Sequence, residues 1–224
     1  MPDITEHREL LEVWDWESGF PTGAPIDREL AHREGTPHES VHLWILREVN
    51  GNREILFQHR AGHKVIYPDR LDITVAGHAP YGFCGNKILK EADEEIGIKP
   101  YESALIDLGW YRYEEINERF RQREFQHVFI TEDAQDLDRY RFKDKEVAGI
   151  YAVSINDLKN ILIRDIVIDV HGFNGRERVR KTITRRDFHP QLFDRSMETY
   201  MHVILQAADE LFGKGTVTSK MPDL

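Results

Sequence analysis

The chain has 224 residues, of which 40% are hydrophobic and 31% charged, a balance typical of a globular domain with its own core. Its formal net charge of −10 argues against nucleic acid or an acidic membrane as the main partner. No apolar run approaches the roughly 20 residues that cross a bilayer, and the acidic N-terminus lacks the layout of a signal peptide. Cys84 is the single cysteine. We therefore predict a cytoplasmic protein without nucleic-acid or membrane partners.

Hydrophobic patterning and turn residues predict a layered α/β domain over residues 1–164. Its first 40 residues look mostly irregular, apart from lead-in strands, because Gly, Pro and Ser recur there as turn signals. The predicted strands then lie at 41–48, 54–60, 71–78, 103–113, 124–131 and 146–153, and the predicted helices at 87–96 and 155–162.

The C-terminal part of the chain predicts a hairpin followed by a helix. Residues 165–188 alternate as two strands around a turn at 173–175, and a helix is expected to start near Pro190, an allowed first-turn position. We expect residues 165–212 to form an extension that either packs on the domain or provides the surface of a homodimer. Residues 213–224 are predicted to be a frayed, flexible tail.

The predicted helix at 87–96 carries a cluster of acids. Glu91, Glu94 and Glu95 are spaced i, i+3 and i+4, so their side chains share one face. Such a face is usually solvated, but like charges at this spacing repel by about 0.2–0.5 kcal/mol per pair. The helix dipole also disfavours anions in the last turns. A divalent cation removes both objections, and carboxylates without cysteine suit Mg²⁺ or Mn²⁺. Spacing alone leaves metal binding and a solvated face equally open.

Residues 77–98, GHAPYGFCGNKILKEADEEIGI, resemble the Nudix box. That pattern is G, five residues, E, seven residues, then R-E-U-x-E-E-x-G-U, with U apolar. The second half matches except that Lys90 replaces the arginine. The first half is one residue short, and Gly82 and Phe83 stand where the family has a loop glutamate.

Flanking segments extend the resemblance over roughly residues 10–160. EVWDWESGFPTG, AHREGTPHESVHLWIL and ILFQHRAGHKVIYPDRLDITVAGH are similar to the Nudix branch that contains isopentenyl-diphosphate isomerase. The resemblance implies a Nudix-type α/β/α sandwich with a mixed sheet, to which the C-terminal hairpin and helix would be added.

The resemblance also implies a metal site. In the family, the box glutamates bind metal ions that clamp a diphosphate, and water then attacks phosphorus with a glutamate as general base. The matching metal ligands here are Glu91, Glu94, Glu95 and Gly77, with Mg²⁺ or Mn²⁺ as the cofactor. Glu91 and Glu94 would act in catalysis, and Glu91 is one candidate base.

A second base would come from outside the box. Glu124 and Glu146, which open two predicted strands, are both candidates, although either could be an exposed strand-end residue. Arg60 and Lys64 match a pair that grips the diphosphate in the isomerase-like branch. The alternative for that pair is solubilising surface charge.

Three histidines invite a second metal hypothesis. The isomerases bind an ion through two upstream histidines, a histidine after the box glycine, and two glutamates. His32, His38 and His78 stand near those positions, but their spacing is one residue short and Gln122 replaces the first glutamate. We therefore predict that these histidines are hydrogen-bonded structural residues.

Three functions remain in competition. The favoured one is a metal-dependent hydrolase that cleaves the diphosphate linkage of a small organic or nucleoside diphosphate derivative. The second is an isomerase of the branch named above. Such an enzyme would need a cysteine where Ala76 stands, and it usually has arginine at the position of Glu91. A non-catalytic binding module is the third, supported by the shortened box loop. The sequence leaves open which group is attached to the diphosphate. Four tryptophans are candidates either for a platform on which a base stacks or for the core: Trp14, Trp16, Trp44 and Trp110.

Overall fold

The computed structural model describes residues 9–116 and 121–224. Residues 1–8 and 117–120 of the predicted domain lie outside the described residues. The described strands are β1 (Leu10–Asp15), β2 (Phe20–Asp27), β3 (His38–Val49), β4 (Asn52–Arg60), β5 (Leu71–Asp72), β6 (Val75–His78), β7 (Ile106–Ile116), β8 (Arg121–Glu132), β9 (Val147–Ser154), β10 (Ile168–Phe173) and β11 (Arg178–Ile183). The α-helices among them are α1 (Arg28–Glu34), α2 (Lys87–Ile96), α3 (Ile155–Ile163) and α4 (Glu198–Lys214).

One mixed sheet organises the fold, with β3 at its centre. Its main path runs β11-β10-β9-β4-β3-β1-β2. Strand β3 pairs in parallel with β8 and antiparallel with β4 and β6. Because β3 is buried on both faces over most of its length, its apolar residues run consecutively from Leu43 to Leu46 instead of alternating.

Two cores lie on opposite faces of this sheet. Val41, Leu43 and Ile45 of β3 join one face to α2, whereas Trp44 and Leu46 join the other face to α3 and α4. This alternation follows from the two-residue period of a strand. The predicted α/β/α sandwich with a mixed sheet and a C-terminal hairpin and helix is confirmed.

Local signals define α2 within the bounds predicted from the sequence. The Asn86 side chain caps its N-terminus by accepting from the Leu89 N–H at 3.4 Å, and Gly97 ends it in the left-handed region at φ 72°. Ile88, Ala92 and Ile96 are buried on its inner face. This face fixes which way the acidic residues of the helix point.

Residues 9–40 hold more regular structure than the mostly irregular segment predicted, and the expected lead-in strands are β1 and β2. Strands β1 and β2 form a hairpin, and α1 follows directly, capped by Asp27 and ended by Gly35 at φ 70°. Gly19 and Gly35 lie in the connections of these elements, as turn signals should, whereas other Gly and Pro residues lie inside β2.

The end of the chain also differs from the prediction. Two short 3-10 turns, 190–193 and 195–197, follow Pro190, so the final helix begins only at Glu198. The expected frayed tail is wrong, because Met221 is buried and its backbone N–H donates to the Leu108 carbonyl at 2.7 Å. The backbone N–H groups of Thr218 and Ser219 also donate to the Glu210 carboxylate.

Residues 165–212 share the sheet and one core with the residues before them. Strand β10 pairs with β9 and extends the sheet, and α4 packs on the face that carries Trp44. The buried Tyr200 hydroxyl accepts from Trp44 Nε1 at 2.8 Å and lies 3.0 Å from His42 Nδ1. Among the described residues, no helix is both long and apolar enough to traverse a bilayer.

We expect Tyr200→Phe to lower the free energy of unfolding by about 1–3 kcal/mol, because Trp44 Nε1 and His42 Nδ1 lose their buried partner. Urea denaturation measures the change, and Tyr101→Phe, at a residue 83% exposed, is the matched control. The control should stay within about 0.5 kcal/mol of wild type. Equal stability of the two variants would contradict the role given to the Tyr200 hydroxyl.

Candidate functional site

Helix α2 places one of its glutamates in the protein interior. The Glu95 carboxylate is almost fully buried and accepts from the Ala76 backbone N–H at 3.2 Å and from Gln58 Nε2 at 3.3 Å. Burial, together with the nearby charge of Glu91, raises the pKa of Glu95 well above its ordinary value. A buried carboxylate in this setting is stabilised by any cation that reaches it.

Glu91 lies directly against the backbone of β6. Its side chain fills the space that a Cβ atom at position 77 would take, so Gly77 is the residue that allows this close approach. Burial raises the pKa of Glu91, which outweighs the opposing effect of Lys90. The box glycine and the first box glutamate therefore form one packed unit.

Lys90 bridges two of the acidic side chains. Its Nζ donates to Glu91 Oε1 at 3.0 Å and to Glu94 Oε2 at 2.5 Å. The Glu94 side chain is 53% exposed, so it lies at the outer side of the cluster. Since the loop glutamate of the box pattern is absent from this chain, its lysine pairs with the acidic cluster itself.

Glu124, at the start of β8, is a buried hydrogen-bond acceptor. Ser40 Oγ donates to its Oε2 at 2.9 Å, Gln126 Nε2 donates to the same oxygen at 3.0 Å, and Gln122 Nε2 donates to Oε1. Burial alone would raise the pKa of Glu124, but interaction with His78 and His38 outweighs it, and the pKa lies well below its usual value. Glu124 is thus an ionised carboxylate at neutral pH.

Three histidines meet beside Glu124. One ring nitrogen from each of His32, His38 and His78 lies within 4.8 Å of the others. His38 Nδ1 bonds to the Thr36 carbonyl at 2.8 Å, which leaves its Nε2 as a bare acceptor, and the buried Nε2 atoms of His38 and His78 have no hydrogen-bond partner. Burial, with the two neighbouring histidines, lowers the pKa of His32 to about 4, so its ring is neutral at pH 7.

The prediction that these histidines are hydrogen-bonded structural residues does not hold for the two unpartnered Nε2 atoms. The three histidines come from different elements: α1 supplies His32, β3 supplies His38, and β6 supplies His78, which lies opposite Ser40. Imidazole nitrogens without hydrogen-bond partners next to a carboxylate are suited to a divalent transition metal. The histidine positions carried this signal in the sequence, but the shifted spacing argued against it.

The two predicted phosphate-binding cations lie at the same cavity but have protein partners. Arg60 donates to Asp72 Oδ2 at 2.9 Å, to the Tyr67 carbonyl at 3.0 Å and to the Ile66 carbonyl at 2.8 Å. Lys64 forms an ion pair with Glu146. Three of the five guanidinium N–H donors of Arg60 are therefore used to hold the neighbouring loop.

One cavity of about 500 Å³ joins these groups. Every candidate residue named from the sequence lines it: Arg60, Lys64, Gly77, Glu91, Glu94, Glu95, Glu124 and Glu146. Sequence reasoning missed further polar residues of the lining, among them Ser40, His42, Asp72, Gln126, His189 and Gln191. None of the four tryptophans, all of which are described, lines this cavity, so the stacking-platform hypothesis has no support here.

No protein-family model matches this sequence, and its relatives by sequence include proteins named Nudix hydrolases. The chain is 26% identical over 205 residues to an uncharacterised Nudix hydrolase of Clostridium acetobutylicum, covering 89% of the chain and 96% of that protein. It is 28% identical over 182 residues to Nudix hydrolase 3 of Arabidopsis thaliana, covering 76% of the chain but only 22% of that longer protein.

Solved structures with a similar arrangement include a Deinococcus radiodurans protein, with a TM-score of 0.49, 17% identity, and coverage of 69% of this chain and 89% of that one. The Nudix domain of Shewanella oneidensis NrtR, complexed with ADP ribose, has a TM-score of 0.43, 10% identity, and coverage of 55% and 75%. The relatives found by sequence carry the name Nudix hydrolase, and the isomerase-like branch is not confirmed for this chain.

Proposed function

We propose that this chain is a metal-dependent hydrolase that cleaves the diphosphate linkage of a small organic or nucleoside diphosphate derivative. The observation that carries the proposal is the shared cavity, because acids from α2 and β8 line it together with Arg60 and Lys64. The relatives' names support hydrolysis of a diphosphate-containing compound at this coarse level. An acidic site needs cations before it can accept an anionic substrate.

Residues of this cavity fit a hard divalent cation. The pKa values of Glu91 and Glu95 are both raised, which reflects burial and repulsion by neighbouring carboxylates that a cation would relieve. Mg²⁺ or Mn²⁺ would be held by Glu91, Glu94 and Glu95 together with the backbone carbonyl of Gly77. When bound, such an ion supplies neutralisation of phosphate charge and a water molecule of lowered pKa.

The chain's own residues then divide the remaining work. Glu91 and Glu124 are both candidates for the general base, because both side chains line the cavity. Glu124 has the low pKa of a carboxylate held by several donors, which suits a ligand or an orienting group. Lys64 and the two unused N–H donors of Arg60 would contact the diphosphate, and Lys90 would neutralise charge beside Glu94.

We expect Glu94→Gln to lower kcat about a hundredfold on a panel of diphosphate compounds assayed with Mg²⁺ or Mn²⁺, because one ligand charge is lost. Release of phosphate or monophosphate is the measurement. Asp93→Asn is the matched control on the same helix, since Asp93 pairs with Lys99 and Lys143 and does not line the cavity. Unchanged turnover in Glu94→Gln, or no turnover by wild type on the whole panel, would contradict the proposal; the second result would favour a binding module.

As the pH is lowered, metal affinity should begin to weaken at a higher pH than it does at a site of carboxylates with ordinary pKa values. Because the pKa values of Glu91 and Glu95 are raised in the metal-free protein, protons compete with the cation above the usual carboxylate range. The apparent Kd for Mn²⁺, measured by calorimetry, should therefore weaken by up to about tenfold per pH unit between pH 7.5 and pH 5.5. Glu95→Gln should show a shallower dependence. A Kd that stays constant over this interval would refute the shared burial of these acids.

A second candidate function is double-bond isomerisation of a prenyl diphosphate. The cluster of His32, His38 and His78 beside Glu124 favours it, since the isomerase-like branch uses such histidines to hold an ion. Against it, the cavity presents Ala76 where that chemistry needs a cysteine. Conversion of isopentenyl to dimethylallyl diphosphate in the same panel would select this candidate instead.

A further inference from the structure

Helix α2 begins with a lysine, although the N-terminus of a helix disfavours a cation because the helix dipole is positive there. Lys87 is the first residue of α2, and the first turn of this helix contains no acidic residue. The Lys87 Nζ donates to the carboxylate of Glu39 on β3, and the Glu39 side chain is only 7% exposed. Removing one partner of such a buried pair leaves the other charge uncompensated, so the two side chains depend on each other.

Glu39 anchors both ends of the loop that connects β6 to α2. At one end, its backbone carbonyl accepts from the Ala79 N–H at 3.3 Å, and at the other end its carboxylate accepts from Lys87. Residues 79–86 themselves contain no charged side chain. The loop therefore takes its ionic anchor from β3, and one residue of that strand fixes where β6 ends and where α2 begins.

The pair also sets the register of α2 on the sheet. Val41 lies opposite Gly77, and Glu39 precedes Val41 by two residues on the same strand face. On α2, Glu91 follows Lys87 by four residues on the same helix face. Two residues of a strand span about 6.7 Å and four residues of a helix about 6 Å, so the two spacings match. With the first turn of α2 held at Glu39, the Glu91 side chain comes to lie over Gly77, where the structure has it.

The buried ligand candidate Glu95 depends on the same register. It lies one further turn along α2, and its carboxylate accepts from the Ala76 N–H at 3.2 Å. Lys87 and Glu39 are both described, and neither lines the cavity. The pair thus acts on the site only through the placement of the α2 carboxylates.

We propose that Lys87 and Glu39 are a positioning pair that sets the register of α2 and thereby holds Glu91 and Glu95 at the metal site, a role that rests on the proposed function. Charge alone and register make opposite predictions for one variant. Lys87→Met removes a positive charge one helical turn from Glu91, which by Coulomb attraction alone would tighten the binding of a cation. Loss of register weakens that binding instead, because the ligands are no longer held in place.

Amide hydrogen exchange, measured by NMR, tests the pair in the metal-free protein. The Ala76 N–H that donates to Glu95 should exchange at least about tenfold faster in Lys87→Met than in wild type. Lys143→Met is the matched control, because Lys143 pairs with Asp93 of the same helix and neither residue lines the cavity. Exchange at Ala76 in the control should stay within about twofold of wild type. Unchanged exchange in Lys87→Met would overturn the proposal.

Calorimetry with Mn²⁺ alone measures the consequence for the metal site. The Kd should rise about tenfold or more in Lys87→Met, as it does when a residue that orients a metal ligand is lost. Lys143→Met and the conservative Lys87→Arg should both bind within about twofold of wild type. Glu39→Lys combined with Lys87→Glu re-forms the pair with reversed charges and leaves its net charge unchanged. This swapped variant should bind within about fivefold of wild type, even if Lys87→Met does not fold.

Tighter or unchanged Mn²⁺ binding by Lys87→Met would contradict the role given to the pair, and so would a swapped variant whose Kd rises tenfold or more. The exchange measurement needs no metal, so its failure counts against the pair alone. Absence of Mn²⁺ binding by the wild type would instead refute the proposed function, and this inference with it.

Discussion

The packing of two α2 carboxylates against the backbone of β6 is the constraint on which the site depends. Glu91 occupies the space above Gly77, and Glu95 accepts from the Ala76 N–H. The apolar face of α2 fixes this arrangement, because Ile88, Ala92 and Ile96 are buried in the core. Carboxylates that are held close together and partly desolvated repel one another. A cation bound between them would therefore stabilise the folded chain.

The second half of the site depends on β3. Its parallel pairing with β8 puts His38 opposite Glu124, and its antiparallel pairing with β6 puts Ser40 opposite His78. One strand thereby aligns the glutamates of α2, the histidines and Glu124 around a single cavity. The C-terminal extension completes the cavity, since the segment before α4 supplies His189 to its lining and Tyr200 of α4 contacts the lining residue His42.

Features with local causes could be predicted from the sequence. The bounds of α2 follow from Asn86 and Gly97, and the face shared by its acids follows from helical spacing. Most of the strands from β3 onward were also predictable, although their ends moved by a few residues. The extent of the N-terminal lead-in strands could not be predicted, because Gly and Pro lie inside β2, where they are typical of a loop.

Features with distant causes could not be predicted in this way. The histidine cluster needs three elements to meet, and no spacing within the chain reports their pairing. Arg60 donates to an aspartate and to two loop carbonyls. The sequence does not report these contacts, so it could not predict how many of the Arg60 donors are left for a phosphate. Met221 lies in the segment predicted to be frayed, yet it is buried and its backbone N–H donates to the Leu108 carbonyl.

Anomalous diffraction from crystals grown with Mn²⁺ tests the central claim most directly. Data collected at the manganese absorption edge locate the ion without reference to activity. The account predicts a peak between the carboxylates of Glu91, Glu94 and Glu95, within bonding distance of the Gly77 carbonyl, with Lys90 moved away from Glu94. A peak confined to His32, His38 and His78, or no peak at all at saturating Mn²⁺, would contradict it.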